Sequence, residues 1–146
     1  MTALADTVTV RAATAEDVAD IATQDRAMWG DWAIPDPLYR QLIDFYAGLV
    51  WVARTADGAL VGCAAGLVHA DGRGWVLCVD VPPRHRGVGV GRQLLTQLLH
   101  AFDIYKIHEI TAIIDADNVA SQRLFASFAP LRCISLLFLS ESSCSE

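Results

Sequence analysis

The sequence predicts an α/β fold of the α+β type, in which helices flank one mixed, mostly antiparallel sheet in a single domain over residues 1–146. Three observations predict it. Short apolar segments separated by Asp-Gly and glycine-rich turns are typical of antiparallel neighbours. A strand, a glycine-rich turn, an amphipathic helix and a further strand then predict a right-handed crossover with a parallel pair. The chain has 146 residues, 53% of them hydrophobic, which is enough for one core.

The first elements are a strand and a helix. Residues 7–11 alternate between apolar and polar side chains, which predicts a strand. Thr14 and Asp17 are spaced as in a capping box and predict that a helix begins there. The apolar stripe of this helix consists of Val18, Ile21, Ala22 and Met28.

A loop rich in tryptophan follows this helix. Gly30, Pro35 and Pro37 interrupt the helical pattern and predict a loop or a broken helix. Trp29 and Trp32 lie in this segment, and their rings need either a core or a ligand to cover them. Both interpretations stay open, and a second helix is expected over about residues 38–48.

Three strands are predicted next, at residues 50–54, 60–69 and 75–81. Asp57-Gly58 between the first two is a strong hairpin signal, and residues 70–74 form another turn. Cys63 and Cys78 fall within these strands. Because the four cysteines have no Cys-x-x-Cys spacing, we interpret these two as small buried side chains and expect no metal.

A basic glycine-rich turn follows the third strand. Residues 86–91 read Arg-Gly-Val-Gly-Val-Gly and lead into a helix expected to end near Phe102. Glycines lack the Cβ atoms that keep a ligand from the backbone, and the first amides of a helix have no intrahelical partner, so this turn suits a phosphate. Arg84, Arg86 and Arg92 add positive charge. The spacing fits neither the dinucleotide fingerprint nor the P-loop.

The remaining elements are a strand, a helix and a last strand. The strand is expected from residue 106 or 107 to Ile114, and residues 115–118 end it and cap the helix that follows. Residues 134–139 predict the last strand. The polar residues 140–146 are expected to fray.

Composition excludes several function classes. A formal net charge of −6 argues against general nucleic-acid binding, and no apolar stretch approaches the length of a membrane span. We see no signal peptide and expect a soluble, cytoplasmic protein. The basic cluster within an acidic chain suits a polyanionic ligand at one end of a cleft and a cationic substrate at the other.

Two motifs resemble one family. The strand pattern Val79-x-Val81-x-Pro83 followed by Arg-x-x-Gly-x-Gly in residues 86–91 resembles the pyrophosphate-binding signature of the GNAT N-acetyltransferase superfamily. The second motif has Asn118, Ser121 and Leu124-Phe125 at positions that match the family, although Ala129-Pro130 stands where the family often has Gly-Phe. The resemblance implies a twisted sheet with a splayed parallel strand pair at the cofactor cleft.

The resemblance also implies a co-substrate, acetyl-CoA, and the residues that hold it. The strand that contains Val79 and Val81 would bond to the pantetheine arm, and one of its amides would face the thioester carbonyl. The full implied cofactor set is Val79, Val81, Arg86, Gly87, Val88, Gly89, Val90, Gly91, Arg92, Asn118, Ser121 and Phe125. The implied acceptor set is Trp29, Asp31, Trp32 and Asp36.

Catalysis needs a base, because an alkyl ammonium must lose a proton before it attacks. Asp80 is the first candidate, and Asp115, Glu109 and His69 follow it. Asp80, the strand at Val81 and Ser121 form the predicted catalytic set. By resemblance the family's general acid is a tyrosine at the position of Phe125. A thiol pKa near ~8.5 lets a thiolate leave without that acid.

The predicted function is acetyl transfer from acetyl-CoA to a primary amine on a small amine or an amino acid. The segment from Asp117 to Phe125 also resembles diaminobutyrate acetyltransferases. Alternatives are a non-catalytic acyl-CoA-binding or regulatory module, a protein N-terminal or lysine acetyltransferase, and a nucleotide-binding protein. A homodimer through the edge at residues 134–139 is a further prediction, with no nucleic-acid or membrane partner.

Overall fold

Six strands form one sheet in the part of the chain that the structure describes, and their order in the sheet is their order in the sequence. The structure is a computed structural model that describes residues 7–129 and 132–139, so the predicted tail at residues 140–146 lies outside it. The strands are β1 (Val8–Ala12), β2 (Val50–Thr55), β3 (Leu60–Val68), β4 (Arg73–Asp80), β5 (Glu109–Asp115) and β6 (Ile134–Leu139). Neighbours from β1 to β4 are antiparallel, while β4 with β5 and β5 with β6 are parallel. The predicted fold class is confirmed.

Four helices flank this sheet: α1 (Val18–Trp29), α2 (Asp36–Phe45), α3 (Val90–Ile104) and α4 (Val119–Phe128). The predicted bounds of α2 were wrong at both ends, since Pro37 stands in its first turn, where proline is tolerated. The predicted start of β5 was also wrong. Lys106 has a φ of 60° and the strand begins at Glu109. Among the described residues, no helix is both long and apolar enough to span a membrane.

The helices cover the sheet on two faces. On one face α3 presents Leu94, Leu98 and Phe102 to a core that includes Val76 of β4. It packs closely, because a Cβ built on Gly66 of β3 would lie 2.7 Å from the Phe102 ring. On the other face α1 and α2 supply a second core, whose fully buried members include Ile21, Tyr39, Val52 and Cys63.

An irregularity in β4 interrupts its pairing with β3. Ala65 pairs with Cys78, but the next residue, Gly66, pairs with Val76. Leu77 is therefore an extra residue in β4, which is the arrangement of a β-bulge. A bulge bends its strand and disturbs the ladder around it.

The parallel ladder of β4 and β5 ends beside this bulge. Its last pair is Val76 with Ala112, although β4 continues to Asp80 and β5 to Asp115. The two strands thus separate at their carboxyl ends. This confirms the splayed parallel pair, and it leaves a gap in the sheet between the ends of β4 and β5.

A buried carboxylate ties the start of α1 to the sheet. Asp17 is almost fully buried and accepts hydrogen bonds from Arg11 of β1 (2.8 and 3.0 Å), Arg54 of β2 (2.8 and 3.1 Å) and the amide of Thr14 (2.8 Å). Burial alone would raise the pKa of Asp17, but these donors outweigh it and hold that pKa well below its usual range. The network fixes the direction in which α1 leaves the sheet.

We expect Asp17→Asn to lower the free energy of unfolding at pH 7 by about 3 kcal/mol, because two arginines lose a buried partner. A depressed folded-state pKa contributes stability that is complete above the unfolded pKa of about 4 and is lost as the pH falls below it. In the variant, the free energy of unfolding should therefore also fall less steeply as the pH drops below about 4. Urea denaturation at several pH values measures both effects.

The matched control is Asp20→Asn. Asp20 lies in the first turn of α1, is exposed, and also accepts a hydrogen bond from Arg54, at 3.0 Å. An exposed ion pair contributes less than about 1 kcal/mol. Equal losses in the two variants would show that burial of Asp17 does not matter.

Candidate functional site

A cavity of about 420 Å³ lies in the gap between the separated ends of β4 and β5. We call it the strand cavity. Residues 76–80 and 112–115 form its strand walls, and Trp29, Trp32 and Ile34 cover it from the side of α1. Backbone edges that would pair in a continuous sheet here border open space instead.

A second cavity of about 540 Å³, the loop cavity, lies in front of the glycine-rich turn at residues 85–92. It shares Trp29, Val79, Asn118 and Ser121 with the strand cavity. The two cavities are therefore neighbouring parts of one cleft, and a long ligand can occupy both.

The backbone of the turn is shaped to expose amides. Gly87 and Gly89 have φ values of +83° and +88°, which L side chains rarely adopt, and a Cβ on either would meet no atom within 4 Å. Gly89 caps α3, whose first turn closes with the amide of Gln93 on the Gly89 carbonyl at 3.0 Å. The amides of residues 90–92 precede that bond, so they lack intrahelical acceptors and lie at the positive end of the helix dipole.

The arginines of the turn have different positions. Arg86 lines the loop cavity, and its Nε donates to the Val81 carbonyl at 2.7 Å, which holds the turn to the end of β4. Arg84 is exposed and donates to the His85 ring at 3.0 Å. Val88 is exposed at the tip of the turn. Of these three predicted contacts, Arg86 alone lines either cavity.

Arg92 connects α3 to α4. Its guanidinium donates to Ser127 Oγ at 2.7 Å and lies 5.1 Å from the centre of the Phe128 ring. It also lines the loop cavity. The Arg92 guanidinium thus holds α3 against α4 and also borders the cleft.

The start of α4 forms the opposite wall of the cleft. Asn118 caps the helix and accepts the amide of Ser121 at 3.1 Å, and both residues border both cavities. Phe125 lies one turn further on, is 4% exposed, and joins the core while it lines the strand cavity. The sequence-predicted positions in this helix therefore come together at the cleft.

Asp80 is fully buried at the end of β4 and lines the strand cavity. The indole N–H of Trp29 donates to its Oδ1 at 2.8 Å. Burial and the neighbouring carboxyl of Asp25 raise the pKa of Asp80 to about 7, against the opposing effect of the Trp29 hydrogen bond. The Asp25 carboxyl therefore favours the protonated form of Asp80.

Asp25 is a site residue that the sequence analysis missed. It is 1% exposed, lines the strand cavity, and its Oδ2 accepts the amide of Ile34 at 2.6 Å. One signal could have found it. Asp25 stands four residues after Ile21 and three after Ala22, so it is an acid on the apolar face of α1.

Two thiols lie beside Asp80. The ligand atoms of Cys63, Cys78 and Asp80 lie within 4.8 Å of one another, and the Tyr39 hydroxyl is 3.7 Å from Cys78 Sγ. The contact with Cys63 and burial raise the pKa of Cys78. For Cys63, burial and Asp80 outweigh the lowering effect of Cys78 and raise its pKa too. Metal binding needs thiolates, so we interpret the group as protonated hydrogen-bond partners.

The other candidate bases occupy different places. Asp115 lines the strand cavity and accepts the amide of Asp117 at 2.9 Å. Glu109 begins β5, at the end of the strand away from the cavity. His69 is in the turn before β4 and pairs with Asp71 at 2.8 Å. The structure brings together Asp80 and Asp115, but neither of the other two.

The acceptor candidates divide in the same way. Trp29 and Trp32 line the strand cavity and are 40% and 75% exposed, so their rings border the cleft rather than the core. Asp31 is exposed, and Asp36 forms an exposed ion pair with Arg26 at 3.0 Å. Neither acid lines either cavity.

Comparison with known proteins agrees with this fold and site order. The model of the acetyltransferase (GNAT) family matches residues 15–129. A mycothiol acetyltransferase of Thermomonospora curvata is 32% identical over 108 residues, which is 73% of this chain and 36% of the relative. An L-2,4-diaminobutyric acid acetyltransferase of Streptomyces avermitilis is 36% identical over 87 residues, 58% of this chain and 49% of the relative. The matched regions cover less than half of either relative.

Solved structures share the architecture. The diaminobutyrate acetyltransferase EctA of Paenibacillus lautus, in complex with L-2,4-diaminobutyric acid and coenzyme A, aligns with a TM-score of 0.75 at 23% identity, over 86% of this chain and 76% of that one. YncA of Salmonella typhimurium, a putative acetyltransferase with acetyl-CoA, aligns with a TM-score of 0.69 at 25% identity, over 84% and 79%.

We expect Asp25→Asn to lower the pKa of Asp80 below its value of about 7, because the change removes a like charge and supplies an amide donor. Carboxyl ¹³C NMR titration measures this pKa. Asp31→Asn, an exposed acid just beyond α1, is the control and should leave it unchanged. An Asp80 pKa that stays near about 7 in Asp25→Asn would show that Asp25 does not raise it.

Proposed function

The chain belongs to the acetyltransferase (GNAT) family, and we propose that it is an N-acetyltransferase that transfers the acetyl group of acetyl-CoA to a primary amine in a ternary complex. One observation carries the proposal. The exposed amides at the start of α3 open into a cleft that continues between the separated ends of β4 and β5. A phosphate site that runs into a gap in a sheet suits a phosphorylated donor with an extended arm.

The loop cavity is the proposed site of the donor's phosphates. The amides of residues 87–92 and the charge of Arg86 would face an anion there, and His85 and Arg92 border the same space. The pantetheine arm would continue past Val79 and Val81 on one side and Asn118, Ser121 and Phe125 on the other. Solved relatives of this fold contain coenzyme A or acetyl-CoA, which supports this choice of donor.

The proposed chemistry is direct attack. The amine nitrogen forms a bond to the thioester carbonyl carbon, the carbon–sulfur bond breaks, and the sulfur leaves as a thiolate. A backbone amide of the β4 strand, near Val81, would stabilise the charge that develops on the carbonyl oxygen. Phe125 has no proton to give to the departing thiolate. The thiolate can leave without one, because it is a weak base. Ser121 is the hydroxyl that borders both cavities.

Asp80 is the proposed base. Its pKa of about 7 lets it accept a proton at neutral pH and release it again to solvent. Asp25 acts through Asp80, because its carboxyl raises the pKa of Asp80. Asp115 borders the same cavity but is exposed, and it is the alternative that a variant can test.

The acceptor would enter past Trp29 and Trp32, which cover the strand cavity. The named relatives indicate small amines or amino acids, diaminobutyrate among them. We leave Asp31 and Asp36 out of the proposed acceptor site because they face solvent away from the cavities.

We further propose a cytoplasmic homodimer. Residues Ile134–Leu139 form β6 at the edge of the sheet, and within the described part of the chain β5 is its one strand partner. Leu137 and Phe138 on this strand are both at least half exposed, so a second copy would cover apolar surface there.

We expect Gly89→Ala to raise the KM for acetyl-CoA at least about tenfold, because a methyl group would stand where the donor's phosphates approach. Gly58→Ala is the matched control. Gly58 has a φ of +90° and open space around it, so the backbone strain is equal, but it lies in the β2–β3 hairpin. Thiol release measures KM. Equal effects in both variants would contradict the phosphate site, and ATP bound as tightly as coenzyme A would instead indicate a nucleotide-binding protein.

We expect Asp80→Asn to lower kcat by about 10²–10⁴-fold, because the base is lost. In the unchanged protein kcat/KM should fall as the pH drops below about 7, since protonated Asp80 accepts no proton. The kcat of Asp115→Asn should stay within about threefold of that of the unchanged protein, as expected for a residue without a role in proton transfer. A larger loss of kcat in Asp115→Asn than in Asp80→Asn would indicate that Asp115 is the base. Tight coenzyme A binding without thiol release for any amine would instead indicate a binding module.

A further inference from the structure

The two cavities carry opposite charges. The ionisable side chains that line the loop cavity are His85, Arg86 and Arg92, with no acid among them. The strand cavity is lined by Asp25, Asp80 and Asp115. One end of the cleft therefore suits a polyanion and the other a cation.

No Lys, Arg or His lines the strand cavity within residues 7–129 and 132–139. The remaining residues of the sequence contain none of these three types either. Arg26 follows Asp25 on α1, but its guanidinium pairs with Asp36 at the surface. An anionic group on the acceptor would thus meet acids and no cation of this chain.

The covering wall of the strand cavity is aromatic and held in place. Trp29 is fixed by its hydrogen bond to Asp80, and the loop that follows is fixed by the bond from the Ile34 amide to Asp25. Trp32 is mostly exposed at the opening of the cavity. Aromatic faces beside carboxylates attract ammonium groups and offer nothing to a carboxylate.

We propose that the acceptor is a small aliphatic amine or diamine that carries no carboxylate. The proposal rests on the acetyltransferase function above. The ammonium would be drawn to the carboxyl groups of Asp25 and Asp80, and a second ammonium could pair with Asp115 at the far strand. A carboxylate in the same space would be desolvated against like charge.

This acceptor class differs from the substrate in the name of one relative. L-2,4-diaminobutyric acid has a carboxylate on the carbon next to one amino group. Its decarboxylated counterpart, 1,3-diaminopropane, has the same two amines at the same spacing and only lacks that charge. The two compounds therefore isolate the feature that the proposal excludes.

The experiment compares kcat/KM for 1,3-diaminopropane, L-2,4-diaminobutyrate and the methyl ester of the latter, by thiol release from acetyl-CoA. We expect the diamine to exceed the amino acid by about a hundredfold, the effect of like charges a few ångströms apart near a surface. The ester should recover most of that difference, because it removes the charge and keeps the shape. A ratio near one, or a preference for the amino acid, overturns the proposal.

A charge-insertion variant tests the same cause. Ile113 lines the strand cavity and is 43% exposed, so Ile113→Lys places a cation at the wall without filling the core. It should reduce the preference for the diamine at least about tenfold. Ile104→Lys, at the exposed end of α3, is the control and should leave the preference as it was. An unchanged preference in folded Ile113→Lys overturns the charge argument.

Failure of the proposed function would give a different result. If no amine releases thiol, the acetyltransferase proposal falls, and calorimetry on the protein loaded with coenzyme A still tests the cavity. There 1,3-diaminopropane should bind at least about tenfold more tightly than diaminobutyrate. Equal binding overturns the inference about the acceptor, whichever way the turnover experiment falls.

Discussion

The end of the β4–β5 ladder at Val76 and Ala112 is the constraint on which the site depends. The bulge at Leu77 changes which side chains share a face. Val76 and Val79 both pack towards α3, whereas Leu77 and Cys78 both pack towards α1 and α2. In regular alternation two residues three apart would face opposite sides. The extra residue thus opens the gap and turns the end of β4. As a result, both the backbone of β4 and its last residue, Asp80, border the cleft.

The Asp25–Asp80 pair joins this strand to α1 at a cost in stability. A folded-state pKa raised to about 7 means that the folded protein keeps a proton that the unfolded chain has lost above about pH 4. The pair therefore reduces stability as the pH rises from about 4 to about 7, and the reduction is constant beyond that. Asp17 has the opposite sign, since its arginines favour the charged form. The carboxylate at the start of α1 is thus stabilising, whereas Asp80 on β4, beside the same helix, is destabilising, and of these two only Asp80 lines the cavity.

Local signals predicted most of the fold and about half of the site. The glycine turn at residues 86–91, the cap at Asn118 and the strands around Asp57-Gly58 depend on neighbours in sequence, and their patterns were readable. Asp25 and the bulge were not predicted, because each depends on a partner far along the chain: Asp25 on Asp80, and the bulge on register with β3. Direct parallel pairing of β6 with β5 is equally non-local, since the sequence of residues 134–139 predicts a strand but not its neighbour.

The charges along the cleft explain where the reaction belongs within it. The residues common to both cavities are Trp29, Val79, Asn118 and Ser121, and none of them carries a charge. Cationic groups lie on the α3 side of this neutral stretch and acids on the other. A donor held by its phosphates and an acceptor held by its ammonium would therefore bring their reacting atoms together in the uncharged middle. A backbone amide of β4 would stabilise the oxyanion there. An acceptor anion would remove that asymmetry, because its charge would be repelled by the acids and drawn towards the donor's end of the cleft.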